Sequence, residues 1–203
     1  MGSMGPFTEL LALPGVEEVL ELRGTFGFMA FHGGALEAMT DVIARAAAER
    51  CGASYYGVHM PPAHQRHLPS TAFAPDESPL LAEFVAHVDT VITVHGYGRD
   101  KFWTKLLLGG QNRSLAEHLA SHFREALPAY ESITDIDDIP LELRGLHSNN
   151  PVNVVPNAGV QLELPPRIRG ASPMWADWKG PGPVPHAATL IETLAAAVTS
   201  WQA

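Results

Sequence analysis

Phe28-Met29-Ala30-Phe31-His32-Gly33-Gly34-Ala35-Leu36-Glu37 is an apolar run that stops at a histidine, turns on two glycines and reaches a carboxylate. The run reads as a short buried strand, with the histidine at its C-terminal edge. That edge is where open α/β sheets bind ligands. The spacing puts Glu37 in the first turn of the next helix, where the helix dipole favours its ionised form. His32 and Glu37 then face one point in space, and the rest of the chain can be searched for what that point needs.

The chain has 203 residues, 46% of them hydrophobic and 17% charged, which suits one globular domain with a sizeable core. Seventeen prolines and 18 glycines leave much of it to loops. A net charge of −9 argues against non-specific nucleic-acid binding, which needs a basic face. It does not argue against an anionic small substrate, since a few arginines reverse the field inside a cleft. Cys51 is the only cysteine, so no internal disulfide forms, and it reads as a packed small residue. No apolar run reaches transmembrane length and no basic-plus-apolar signal opens the chain. A cytoplasmic location is the default expectation, although a removed signal peptide would leave no trace. Met1-Gly2-Ser3 ahead of Met4 looks like a cloning leader, so 4–203 is expected to be a single α/β domain.

Pro6 to Pro14 reads as an opening segment and Glu17 to Leu22 as an edge strand. Thr25 to Phe31 reads as a central strand. From Leu36 the apolar residues follow helical spacing to Cys51, with Gly52 as the helix stop. Further strands are expected at Ser54–Val58, Thr90–Val94, Lys105–Leu108 and Gly159–Leu164. Further helices are expected at Pro79–His87, from a capping box at Ser114-Leu115-Ala116-Glu117, and at Ala187–Trp201. His59 to Ser78, rich in proline, reads as a long ordered loop of the kind that is usually functional. Ser132 to Arg144 reads as acidic and irregular, and 170–186 as a Gly/Pro/Trp-rich surface crossing. Strands alternating with helices indicate an α/β fold with a mixed central sheet flanked by helices.

Three strands end in groups that an ordinary core would not select. They deliver His32 with Glu37, His95 followed by a glycine turn, and Glu163. Two imidazoles and a carboxylate are a common ligand set for catalytic zinc, with water in the fourth position. A further carboxylate is then needed to carry the proton, and Glu163 is the natural candidate. From spacing alone this reading stands beside a plainer one, in which the histidines are structural and hydrogen-bonded.

Four segments carry a family resemblance. Phe31-His32-Gly33-Gly34-Ala35-Leu36-Glu37 with Ala38-Met39-Thr40 resembles the His-Gly-Gly-x-Ile-Glu-x-Gly-Thr signature of the phage-type poly-γ-glutamate hydrolases. His67-Leu68-Pro69-Ser70-Thr71 with Phe73 resembles that family's His-Ile-Thr-Ser-Thr-x-Phe. Val94-His95-Gly96 resembles its Ile-His-Gly, and Gln161-Leu162-Glu163-Leu164 with Arg167 its Gln-Leu-Glu-Leu and following arginine. The resemblance implies a zinc-carboxypeptidase-like fold and hydrolysis of γ-glutamyl amide bonds. Carried over, His32, Glu37 and His95 would hold one zinc ion, with Glu163 as general base and then acid. Carboxypeptidases proper use His-x-x-Glu, whereas this carboxylate is five residues from its histidine, so the turn differs. Met39 stands where the family has glycine, and Pro69 where it has threonine.

A substrate with acidic groups needs a guanidinium fork. Arg99 and Arg167 follow strands that reach the site and are the first candidates, ahead of Arg113, Arg144 and Arg169. His67 is a candidate for substrate binding or carbonyl polarisation, and Tyr97 for lining the cleft. His59, His64 and His67 form an alternative metal cluster that no strand organises. Trp175 and Trp178 suggest a capped cleft or a partner surface, or simply cover the core. Asp135, Asp137 and Asp138 read as a solvated acidic loop.

The leading expectation is a zinc-dependent amidohydrolase or peptidase cutting γ-glutamyl bonds in a small or peptide substrate. The alternatives are a zinc-dependent deacylase of N-acyl or N-formyl amino acids, a cell-wall peptide amidase, and a non-catalytic binding module on the same fold. Neither nucleic acid nor membrane is an expected partner, and the sequence fixes no oligomeric state.

Overall fold

The structure, a computed structural model, describes residues 4–202; the expected cloning leader lies outside the described residues. In chain order the elements are α1 (Pro6–Leu11), β1 (Glu17–Glu21), β2 (Gly24–Gly34), α2 (Thr40–Cys51), β3 (Ala53–Met60) and α3 (Pro79–His87). There follow β4 (Thr90–Gly96), β5 (Lys105–Leu108), α4 (Arg113–Ala126), β6 (Glu131–Ile133), β7 (Gly159–Leu164) and α5 (Pro185–Ser200). Among the described residues, no helix is long and apolar enough to cross a membrane.

The seven strands form one mixed sheet in the order β1-β3-β2-β4-β7-β5-β6. β3, β2, β4 and β7 run parallel, while β1 is antiparallel to β3 and β5 to β7. β2 is central, as its run of apolar residues requires, because a parallel strand covered on both faces has no polar side to show. On one face Phe28, Ala30, Tyr55, Ile92 and Val94 pack against Ile43 and Ala47 of α2, Leu115 and Leu119 of α4 and Leu190 and Leu194 of α5. On the other face Met29, Phe31, Tyr56, Val58 and Val91 pack against α1, α3 and the long loop. Chain order reverses at β2, with β3 on one side of it and β4 on the other. The crevice beyond the carboxyl ends of β2 and β4 is therefore the switch point at which such sheets bind ligands.

Several boundaries differ from the sequence expectation for identifiable reasons. The opening segment contains α1, whose first backbone N–H groups, Phe7 and Thr8, donate to the Glu77 carboxylate at 2.9 and 3.0 Å. The helix expected from Ser114 is capped instead by Asn112, whose Oδ1 accepts from Leu115 N at 2.9 Å. The segment expected to be irregular from Ser132 includes part of β6, which pairs with β5 at the sheet edge. The helix expected from Leu36 starts at Thr40, and that shift matters for the site.

Candidate metal centre

β2 ends in an irregularity that aims His32. Ala30 pairs with Gly57 but Gly33 pairs with His59, so β2 carries one residue more than β3 over that step. An extra residue breaks the strict alternation of faces. His32 thus joins Phe31 and His95 on the face under the long loop, its ring 5.2 Å from that of His95 and 5.6 Å from that of Phe73. The loop is pinned there by Phe73, fully buried and stacked on Phe31 at 4.5 Å. Pinning brings Leu68 O to 2.9 Å from His32 Nε2 and Ser70 Oγ to 3.5 Å from His95 Nε2.

The glycines allow the return to Glu37. Gly34 has φ +72°, and a Cβ there would lie 2.3 Å from Met60 O. Asp41 Oδ2 accepts from Gly34 N at 3.0 Å, and Glu37 N donates to His32 O at 2.8 Å, closing the turn. Glu37 lies in this turn, ahead of α2, and not in the first helical turn as its spacing suggested. Met39, where the resembled family has glycine, takes φ +76° immediately before Thr40. The dipole is consequently not what favours an ionised Glu37; direct partners do so. His32 Nδ1 is 2.8 Å from its Oε1, while Gly96 N donates to Oε2 at 2.8 Å and His95 Nδ1 lies 3.4 Å from Oε2.

These contacts set the charges. Burial alone would raise the Glu37 carboxyl, but the hydrogen bonds and charges of His32 and His95 outweigh it and hold it well below the usual carboxylate range. Burial lowers His95, and Glu37 and Glu163 more than offset it, so its basicity is raised. Glu163 pairs in register with His95 across β4 and β7. Burial, with the Glu37 charge added, pushes its carboxyl up to about 7 against the opposing pull of His95, Gln161 and Arg169.

The donor set suits a divalent ion of the zinc type. One ligand atom from each of His32, Glu37 and His95 lies within 4.8 Å of the others, the one such group of three among the described residues. Ligand atoms about 2.0 Å from a tetrahedral zinc sit roughly 3.3 Å apart, the scale of the spacings here. A proton on His32 Nε2 satisfies Leu68 O and leaves Nδ1 as the ligating nitrogen, the outer-shell arrangement that ligating histidines adopt.

The cluster opens into a cavity of about 770 Å3 that Glu163 also lines. Its other wall is the segment Leu141–His147, which begins inside the stretch expected to be irregular, Ser132 to Arg144, and runs beyond it. His67 lines the cavity, its ring 4.6 Å from that of His32; burial and the His32 charge lower its basicity. Arg99 reaches only the rim, where its exposed guanidinium pairs with Glu142 of the wall. Arg144 belongs to the wall, but its guanidinium turns back to Ile139 O at 2.9 Å and to Asp137.

The structure does not bring Tyr97 or Arg167 to the cavity. Tyr97 packs with Leu107, Ile133 and Ile139, and its hydroxyl lies 2.9 Å from Phe102 O and 2.7 Å from Lys105 O. Arg167 lies over the Tyr130 ring, and its carbonyl accepts from Trp175 Nε1 at 2.7 Å. Arg169 comes closer than either. It is buried against Gly96, donates to Leu164 O and Ala38 O, and carries positive charge behind Glu37 and Glu163. The alternative cluster of His59, His64 and His67 does not assemble: His59 Nε2 is 2.9 Å from Tyr55 Oη, beside Asp41. Ser70, Asn150 and Gln161 also line the cavity, and the sequence assigns none of them a role. The available signal for Gln161 was an amide on the same face of β7 as Glu163, in a strand otherwise apolar.

The family described as poly-gamma-glutamate hydrolase matches residues 14–177. No curated protein matches the chain. Among solved structures, a bacteriophage poly-gamma-glutamate hydrolase superposes with a TM-score of 0.74 at 20% identity, covering 94% of this chain and 92% of its own. The zinc-free apo form of YNDL gives 0.74 at 18% identity, covering 91% and 90%. A putative carboxypeptidase from Burkholderia mallei gives 0.55 at 14% identity, covering 95% of this chain and 65% of its own, so the fold is carboxypeptidase-like.

Proposed function

The chain belongs to the poly-gamma-glutamate hydrolase family, and from that premise we propose that it is a zinc-dependent hydrolase of γ-glutamyl-type amide bonds. The observation that carries the reading is the convergence of His32, Glu37 and His95 beside a buried Glu163 in the lining of one cavity. His32 and His95, through Nδ1, and the Glu37 carboxylate would hold the ion. When bound, such an ion acidifies water and polarises a carbonyl.

The protein's own residues supply the rest. Glu163 takes the proton of the attacking water and returns it to the leaving nitrogen, work suited to a buried carboxyl that lines the cavity beside the ligand set. Leu68 O fixes the His32 tautomer and Gly96 N holds Glu37 in place. His67 and Ser70 stand in the cavity where they can bind the substrate's polar groups.

A second reading, hydrolysis of N-acyl amino acids, is favoured by the cavity wall. Leu141 is 79% exposed and Leu146 39%, and both line the cavity, where an acyl chain would cover them.

The test is a panel of γ-linked, α-linked and N-acylated glutamates, assayed with the zinc-loaded protein and with Glu163→Gln. Cleavage of the γ-linked members that Glu163→Gln abolishes supports the proposal. Preference for the N-acylated members selects the second reading. Full activity in Glu163→Gln, or no cleavage of any member, overturns the mechanism proposed here.

A further inference from the structure

We propose that Gln161, fixed by Asn150, is a positioning residue that sets the orientation of the Glu163 carboxylate. The proposal rests on Glu163 being the proton-transfer group.

Gln161 and Glu163 project from the same face of β7, since they are two residues apart. Both are almost fully buried, as is Asn150. A buried amide can be turned either way about its last bond, so its hydrogen bonds decide which end faces which neighbour. Here the direction is set from one end. Val152 N donates to Asn150 Oδ1 at 3.3 Å, which leaves Asn150 Nδ2 to donate to Gln161 Oε1 at 2.8 Å. Gln161 Nε2 is then left to donate to Glu163 Oε1 at 2.9 Å and to Leu143 O at 3.3 Å. Turning the Gln161 amide over would set its oxygen against a carboxylate and a carbonyl at once. A backbone N–H thus dictates, through two side chains, that Glu163 meets a donor.

The cavity wall locks this arrangement. Gly145, at φ +62°, packs so closely on Gln161 that a Cβ there would come within 2.6 Å of Oε1. Asn153 Nδ2 holds Gly145 O at 2.7 Å, so the glycine is itself fixed. With Glu163 Oε1 tied in this way, no protein group among the described residues donates to Oε2. Oε2 is the oxygen left for water in the cavity.

The competing account makes Gln161 a strut that only ties the wall to β7. Gln161→Met keeps the length and removes both hydrogen-bonding ends, and Asn150→Leu removes the group that sets the direction. Each variant, and the pair combined, is assayed with the zinc-loaded protein on the best-cleaved γ-linked glutamate. Zinc uptake and Tm are measured alongside, with zinc alone as the probe.

Positioning predicts that Gln161→Met lowers kcat roughly 10- to 100-fold, as misplacing a catalytic group does, with KM within about threefold and zinc uptake unchanged. It also predicts that Asn150→Leu adds no further loss once Gln161 is methionine. Asn150→Asp, which turns the donor at that end into an acceptor, checks the direction in a nearly isosteric variant and should also slow kcat. A kcat within twofold of the parent in Gln161→Met overturns the proposal. So does a loss of activity that follows lost zinc, lower Tm or a matching rise in KM. A parent protein that cleaves nothing would instead remove the functional reading on which the proposal depends.

Discussion

Replacing Glu163 by glutamine is expected to stabilise the metal-free protein at alkaline pH, even as it removes the group proposed to move the proton. The carboxyl is buried and titrates near about 7 in the fold, against an ordinary 4.5. An acid of this kind keeps in the folded state a proton that the unfolded chain has already lost. Its contribution to stability therefore falls as pH rises from about 4.5 to about 7 and is constant above. At about 1.4 kcal/mol per pH unit the loss amounts to about 3 kcal/mol as an upper figure. Glutamine has no charge to desolvate and still offers a carbonyl to Gln161 Nε2. The variant should melt up to ~10 °C higher than the parent at pH 8 in chelator, given the size of the chain. Near pH 4 the two should converge, because the carboxyl is then protonated in both states. Melting curves across that range provide the assay. A variant no more stable than the parent at pH 8, or the same difference between the two at pH 4 as at pH 8, would refute the reasoning. It would show that the ionised carboxylate is compensated where it sits.

Other perturbations separate the parts of the site. His32→Ala leaves the Glu37 carboxylate buried with one imidazole and should cost about 3 kcal/mol in the metal-free protein by urea denaturation. Its zinc affinity should fall by more than the roughly 10–100-fold typical of losing an outer-shell partner. Gly34→Ala combines a left-handed φ with a Cβ 2.3 Å from Met60 O, so it should lose more than about 2 kcal/mol and weaken zinc binding by displacing Glu37. Tyr97→Phe should cost about 1 kcal/mol, since the half-buried carbonyls of Phe102 and Lys105 lose the one hydroxyl hydrogen they share, while KM for a γ-linked glutamate stays within about twofold. A large change in KM would return Tyr97 to the substrate.

Much of this arrangement is legible in the sequence because it depends on local patterns. An apolar run buried on both faces marks β2 as central, and alternation marks β7. His32, Glu37, His95 and Glu163 all follow from strand ends, and the structure gathers them at one cavity. What the pattern does not carry is anything set by a distant partner. The extra residue in β2 shows only in its pairing with β3, and it is what puts His32 on the face of His95. Asn112 displaces Ser114 as the cap because its side chain is the one that reaches Leu115 N. β6 is three residues long and exists only because β5 offers it an edge. Tyr97 and Arg167 follow strands that reach the site, yet backbone carbonyls and an aromatic neighbour claim their side chains first. Arg169, two residues beyond Arg167, takes the place behind the carboxylates.

The central claim is that His32, Glu37 and His95 hold a zinc ion. The most direct measurement is a zinc titration of chelator-stripped protein by calorimetry, with metal content determined by mass spectrometry after dialysis. The account predicts one zinc per chain in the parent and in Glu163→Gln, and none retained in His32→Ala or His95→Ala. Failure of the parent to take up zinc in stoichiometric amount, or equal uptake in both histidine variants, would contradict it.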